Sequence, residues 1–213
     1  MKKFLIFGIF FAVFLLPAVA SAATYYVSRN GNNADGSSWT TAWRELDQIG
    51  WSVIRPGDTI YIAGGTYLSR LEIKSNGIAG NPITIKRARS SDPAASGATG
   101  WQASFDSQVV INANDGIKNS GSGGRYVVVD GQVKDGIRVN FGDVPNGRGV
   151  YISSGSFNST FRNIGSYGPA RDVSSYVFAN DVRSLVIDRA SDLTFDKDTF
   201  SGAGAFAYFI RSS

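Results

Sequence analysis

Ile60-Tyr61-Ile62, Ile83-Thr84-Ile85, Val109-Val110-Ile111, Val127-Val128-Val129, Ile137-Arg138-Val139 and Val150-Tyr151-Ile152 decide the fold. Each is a short burst rich in β-branched residues, bounded by Gly, Asn, Asp or Ser, and Leu71-Glu72-Ile73, Leu185-Val186-Ile187 and Leu193-Thr194-Phe195 have the same form. Short strands between turn clusters fit a sandwich, a barrel or a solenoid, and periodicity selects among them. Set in one column, Ile60, Ile85, Ile111, Ile137, Phe161, Leu185 and Phe209 recur at intervals of 25, 26, 26, 24, 24 and 24 residues. A second column, Val127, Ile152 and Val177, recurs at 25 and 25. A sandwich has no reason to return its strands at a fixed interval, whereas stacked coils align like side chains inside. The expectation is an all-β solenoid, a parallel β-helix over residues 58–213 with about 24–26 residues per coil. Residues 88–108 (ARSSDPAASGATGWQASFDSQ) are too polar and too rich in Gly, Ser and Pro for regular strands, and are expected to form a loop insertion.

Working outward, Thr24 to Ser28 reads as a strand and Arg29 to Ser38 as a loop. In Ala42 to Ile54, Trp43, Leu46, Ile49 and Val53 fall at spacings of three and four. That predicts an amphipathic α-helix capping the open end of the rod, closed by Arg55-Pro56-Gly57-Asp58. Residues 23–57 are thus expected to be strand, loop and capping helix. Lys2 and Lys3 precede an apolar run from Phe4 to Leu16, and Ala20-Ser21-Ala22 fits the small-x-small rule for signal-peptidase cleavage. Residues 1–22 therefore read as a signal peptide, placing the protein outside the cytoplasm (secreted, periplasmic or at the cell surface) with no stable membrane anchor after cleavage. At the other end, Phe206 to Arg211 reads as a strand followed only by Ser212 and Ser213. No C-terminal cap is expected there, as in a fragment of a longer protein.

Composition removes several function classes. Without Lys2 and Lys3 the chain has 19 basic and 17 acidic residues, too even a balance to imply a nucleic-acid partner. It has no cysteine, so packing and backbone hydrogen bonds must hold it. It has no histidine, which excludes imidazole bases, Ser-His-Asp triads and histidine-based zinc sites.

Tyr25-Tyr26-Val27-Ser28, Ser38-Trp39-Thr40-Thr41-Ala42-Trp43 and the run from Arg55 to Tyr67 (RPGDTIYIAGGTY) resemble the opening of secreted right-handed parallel β-helix proteins of the pectate-lyase-like kind. Leu71 to Gly77 and Gly80 to Ile85 continue the resemblance, which covers residues 24–87. The group includes polysaccharide lyases of the chondroitinase and alginate-lyase type. The resemblance implies a right-handed coil and an extracellular polysaccharide, anionic where the activity is uronate-directed, as partner. The same opening precedes lyases, hydrolases, epimerases and binding modules.

Alternation along each strand places Lys86, Arg138 and Arg162 outside, next to inward apolar residues. As a basic strip they would meet successive uronate carboxylates, and one beside another cation could act as a base. The alternative is that they are ordinary solvated charges. Tyr126, Tyr151 and Tyr176, 25 residues apart, form either a platform for sugar rings or a self-stacking ladder. Lyases of this fold often use calcium held by carboxylates, for which Asp188, Asp196 and Asp198 are the candidates. The alternative is that these aspartates are turn residues. Two functions follow: a uronate-directed polysaccharide lyase, or a non-catalytic glycan-binding or adhesin module.

Overall fold

The computed structural model describes residues 22–119, 123–142, 147–169 and 183–201. After β1 (Thr24–Val27) the chain winds through coils of three strands. The first coil holds β2 (Thr59–Ile62), β3 (Gly65–Tyr67) and β4 (Leu71–Ile73), and the second β5 (Ile83–Arg87), β6 (Val109–Asn112) and β7 (Ile117–Asn119). The third holds β8 (Val127–Asp130), β9 (Ile137–Asn140) and β10 (Arg148–Ile152), and the fourth β11 (Phe157–Arg162), β12 (Ile164–Tyr167) and β13 (Arg183–Ile187). β14 (Ser191–Asp196) and β15 (Thr199–Ser201) begin a fifth. First strands of successive coils pair into sheet A (β1-β2-β5-β8-β11-β14), second strands into sheet B (β3-β6-β9-β12-β15) and third strands into sheet C (β4-β7-β10-β13). All these pairings are parallel, so the molecule is a parallel β-helix.

Inside, like side chains stack. Tyr25, Ile60, Ile85, Val129, Phe161 and Phe195 are in register across sheet A. Leu71, Ile117, Val150 and Leu185 are in register across sheet C. Ile60, Ile85, Ile111, Ile117, Val129 and Val139 have no solvent exposure. Each such side chain contributes about 1.5–3 kcal/mol on burial.

The register corrects the coil length. Along sheet A, Ile60 to Ile85 is 25 residues, but Ile85 to Val129 is 44, Val129 to Phe161 is 32 and Phe161 to Phe195 is 34. Of the sequence column, Ile60, Ile85 and Phe161 share a row, Ile111 and Ile137 lie in sheet B, and Leu185 lies in sheet C. Phe209 and Val177 lie outside the described residues. All three sheets bury the same kind of apolar burst, so bursts from different sheets imitate a single row. The variable length sits in the connections, including that between β5 and β6.

The capping α-helix is also corrected. Between Ala42 and Ile54 the helical structure is one 3-10 turn, Leu46–Gln48, closed by reciprocal hydrogen bonds between Glu45 and Gln48. Trp43, Leu46 and Ile49 are buried, but Val53 is 46% exposed. A spacing of three suits the 3-10 turn, and the chain leaves it at Ile49. It then folds back so closely that a Cβ on Gly50 would lie 2.9 Å from the Trp43 ring. The segment still closes this end of the rod. Trp43 stacks on Tyr25, with ring centroids 5.5 Å apart. Glu45 Oε2 accepts from the Leu68 and Ser69 amides at 3.2 and 3.3 Å.

Residues 88–108 contain a single-turn α1 (Pro93–Ser96) and a 3-10 turn, Ala103–Asp106. They fold over the outer face of sheet A, where Trp39, Phe105, Tyr26, Tyr61, Ala63, Ala88 and Ala95 form a second apolar cluster. Trp39 Nε1 donates to the Ala95 carbonyl at 2.8 Å and Tyr26 Oη to that of Ala94 at 2.9 Å, which pins the insertion down.

Candidate functional site

The register separates the three sequence-candidate cations. Lys86 and Arg162 share one outward row of sheet A, which reads Tyr61, Lys86, Asp130, Arg162, Asp196. Its charges alternate in sign. Lys86 Nζ donates to Asp92 at 2.7 Å, and the Tyr61 hydroxyl donates to the same oxygen at 2.8 Å, so Lys86 anchors the insertion. Arg162 pairs with Asp130 at 3.1 Å. Arg138 lies on sheet B, between Val110 and Gly165. There is therefore no basic strip of the three: the coils are unequal, so equal sequence spacing does not bring them onto one face.

The other candidates are similarly dispersed. Tyr126 precedes β8 with φ of 50° and meets Phe157 edge to face at 5.5 Å. Tyr151 stands on sheet C, in register with Lys118 and Val186. Tyr176 lies outside the described residues. No ladder joins Tyr126 and Tyr151, because they occupy different sides of the coil. Asp188 follows β13 and pairs with Arg189 at 3.2 Å, whereas Asp196 and Asp198 lie at the far end of β14. Among the described residues no three His, Cys, Asp or Glu side chains gather to hold a metal. Asp198 Oδ1 accepts from the Ile164 amide at 2.7 Å. Burial, then the charges of Asp196 and Asp130, push its pKa up to about 6.

Sheet C gathers what the sequence column missed. Its outward row is Glu72, Lys118 and Tyr151, in register on three coils. At the entrance to β10 both Gly149 and Val150 turn inward. A Cβ on Gly149 would strike the buried Ser166 hydroxyl at 1.8 Å, so only glycine fits. That double inward step leaves the Arg148 side chain outside, its guanidinium carbon 3.8 Å from the centre of the Tyr151 ring. Asp115 grips Arg148 at two points, Nε to Oδ1 at 2.6 Å and Nη2 to Oδ2 at 2.9 Å. Arg70 approaches the same carboxylate at 3.5 Å. Lys118 and Lys74 lie 3.5 and 3.9 Å from Glu72. Arg183 is in register with Arg148 on the next coil, about 4.8 Å away at ordinary strand spacing.

Among the described residues this face carries Arg70, Lys74, Lys118, Arg148 and Arg183 together with Glu72 and Asp115, around one tyrosine. Burial works against the charge of Arg148, but the hydrogen bonds and charge of Asp115 win and raise its pKa. The pKa of Arg183 is lowered, first by burial and then by the charge of Arg148. The two adjacent arginines therefore shift in opposite directions.

No family model matches this chain, and no curated protein does. Among solved structures it is similar to a rhamnogalacturonan lyase, at 13% identity with a TM-score of 0.44. The alignment covers 88% of this chain and 60% of that protein's length.

The sequence had one usable signal for the site: Arg148 and Arg183 each open a strand burst. The 35 residues between them match no 24–26 period, so the pair is visible only through the register.

Proposed function

We propose that this β-helix, exported by way of residues 1–22, binds an acidic extracellular polysaccharide along the outer face of sheet C and cleaves it as a uronate lyase. The observation that carries the reading is the pair Arg148 and Arg183, in register on adjacent coils beside Tyr151. Coil spacing of about 4.8 Å is comparable with the rise of one sugar in an extended chain, so stacked guanidinium groups suit stacked carboxylates. Arg148, held charged by Asp115, binds the uronate carboxylate and stabilises the negative charge that develops on it. Arg183, in register with Arg148 on the next coil, is the base of the proposed reaction and takes the C5 proton in its neutral form, which burial and the charge of Arg148 favour. The C4–oxygen bond then breaks, a C4=C5 double bond forms, and the departing oxygen takes a proton from the Tyr151 hydroxyl.

The test is the ultraviolet absorbance of the unsaturated product when the protein is mixed with pectate, alginate or chondroitin. Arg183→Ala should abolish product while leaving retention on an acidic-polysaccharide gel within a few-fold of wild type. Wild-type protein that is retained on the gel but yields no product from any substrate would overturn catalysis and leave a binding module. Protein that is neither retained nor active would overturn the reading of sheet C as a whole.

A further inference from the structure

We propose that the outer face of sheet B carries a second, separate binding point for an acidic sugar, centred on Arg138; it stands independently of the sheet C reading. Asn112, Asn140 and Tyr167 are in register on three successive coils, with Arg138 and Gly165 two residues before Asn140 and Tyr167. A Cβ on Gly165 would lie 2.5 Å from the Tyr167 ring, so glycine at this position lets the ring lie down against the sheet. The Tyr167 hydroxyl donates to Asp135 Oδ2 at 2.8 Å, fixing the far end of the ring. Over this platform the Arg138 guanidinium carbon lies 4.1 Å from the ring centre. Arg138 Nε donates to Asn140 Oδ1 at 2.8 Å, and Asn140 Nδ2 donates in turn to Asn112 Oδ1 at 2.9 Å.

This arginine is held differently from four other basic residues on the sheets. Lys86, Arg87, Arg148 and Arg162 each sit within 4.0 Å of a carboxylate. Arg138 is held by a ring and an amide, and among the described residues no carboxylate pairs with it and neither terminal nitrogen has a hydrogen-bond acceptor. Stacking and the Nε bond fix the plane of the guanidinium and leave its two terminal nitrogens as a fork. A fork of that kind matches the two oxygens of a carboxylate, and its orientation is already set before binding. The exposed Asn112 amide lies at the other end of the relay, where it can donate to a neighbouring sugar hydroxyl. A uronate residue, which carries a carboxylate and ring hydroxyls together, is the ligand this arrangement fits.

The test is calorimetric titration of short oligogalacturonates into the whole protein and into an Arg148→Ala, Arg183→Ala form whose sheet C face is disarmed. That form should retain one site. Adding Arg138→Ala should weaken the remaining site roughly tenfold or more. Arg138→Lys, which keeps the charge but loses the fork and the stacking, should fall most of the way to the alanine value. Matching circular dichroism spectra of the variants exclude unfolding as the cause. Binding that is indifferent to Arg138, or equal binding of inorganic sulfate, would overturn the proposal. Loss of all binding in the disarmed form would overturn it too. Failure of the sheet C reading alone would appear as Arg138-dependent binding with no contribution from Arg148 or Arg183.

Discussion

Asp198→Asn is predicted to stabilise the protein at neutral and mildly alkaline pH and to change little in acid. Asp198 occupies the corner between β14 and β15, where Oδ1 accepts from the Ile164 amide. Oδ2 is buried and has no hydrogen-bond partner among the described residues. Burial first, then Asp196 and Asp130, raise the pKa from 3.8 to about 6. A raised folded-state value means that the native protein binds this proton more tightly than the unfolded chain does. The stability from this group is present below about pH 3.8 and is lost as the pH rises through about 6. A shift of about two units would be worth about 3 kcal/mol for a fully buried group. The side chain is only half-buried, so solvent screening reduces this to about 1–1.5 kcal/mol. Asparagine keeps the acceptor for Ile164 and places a neutral amide where the charged oxygen lay. Urea unfolding followed by circular dichroism at pH 4 and pH 8 measures the difference. The variant should gain about 1 kcal/mol at pH 8 and almost nothing at pH 4. An equal effect at both pH values, or a loss at pH 8, would refute the electrostatic reasoning. Calcium that raises the wild-type midpoint but not that of the variant would instead assign Asp198 to a metal.

Gly136→Ala places a Cβ 1.9 Å from the Gly131 carbonyl oxygen, and the corner between β8 and β9 cannot yield without moving backbone. A loss of about 1–3 kcal/mol in thermal or urea unfolding is expected. Trp39→Ala removes a side chain that is 1% exposed, together with its hydrogen bond to Ala95. It should cost about 3–5 kcal/mol, and limited proteolysis should then cut first within residues 88–108, whereas cuts elsewhere would deny that Trp39 is the clasp.

The fold was legible because a β-helix writes itself into the sequence as repeated apolar bursts with turns between them. Val127-Val128-Val129 and Ile137-Arg138-Val139 are strands β8 and β9, and their inward residues are wholly buried. The coil length was not legible, since nothing in Ile111 or Leu185 says which of three sheets it serves. The end cap was half legible. Trp43, Leu46 and Ile49 are buried as their spacing required, but three residues at that spacing fit a 3-10 turn as well as an α-helix, and Gly50 ends the choice. The candidate site suffered most. A side chain's face follows from strand parity, but its neighbours on that face follow from the register, and the register depends on coils whose lengths run from 25 to 44 residues.

The distribution of sign over the three faces argues for where a ligand belongs. Facing like charges on adjacent strands destabilise a sheet, and opposite charges support it. Sheet A obeys this: Lys86, Asp130, Arg162 and Asp196 alternate down one row, and the row neutralises itself. Sheet C departs from it in setting Arg148 in register with Arg183, beside the ion pairs that Asp115 makes with Arg148 and Arg70 and that Glu72 makes with Lys118 and Lys74. A polyanion lying across sheet C would set carboxylates beside the in-register arginines Arg148 and Arg183 and relieve the repulsion between them. The wild-type protein should therefore gain more thermal stability from oligogalacturonate at low ionic strength than at high, and Arg183→Ala should narrow that gap. A stabilisation that is the same at both salt concentrations, or unaltered by the substitution, would show that the repulsion on sheet C is not what the ligand relieves.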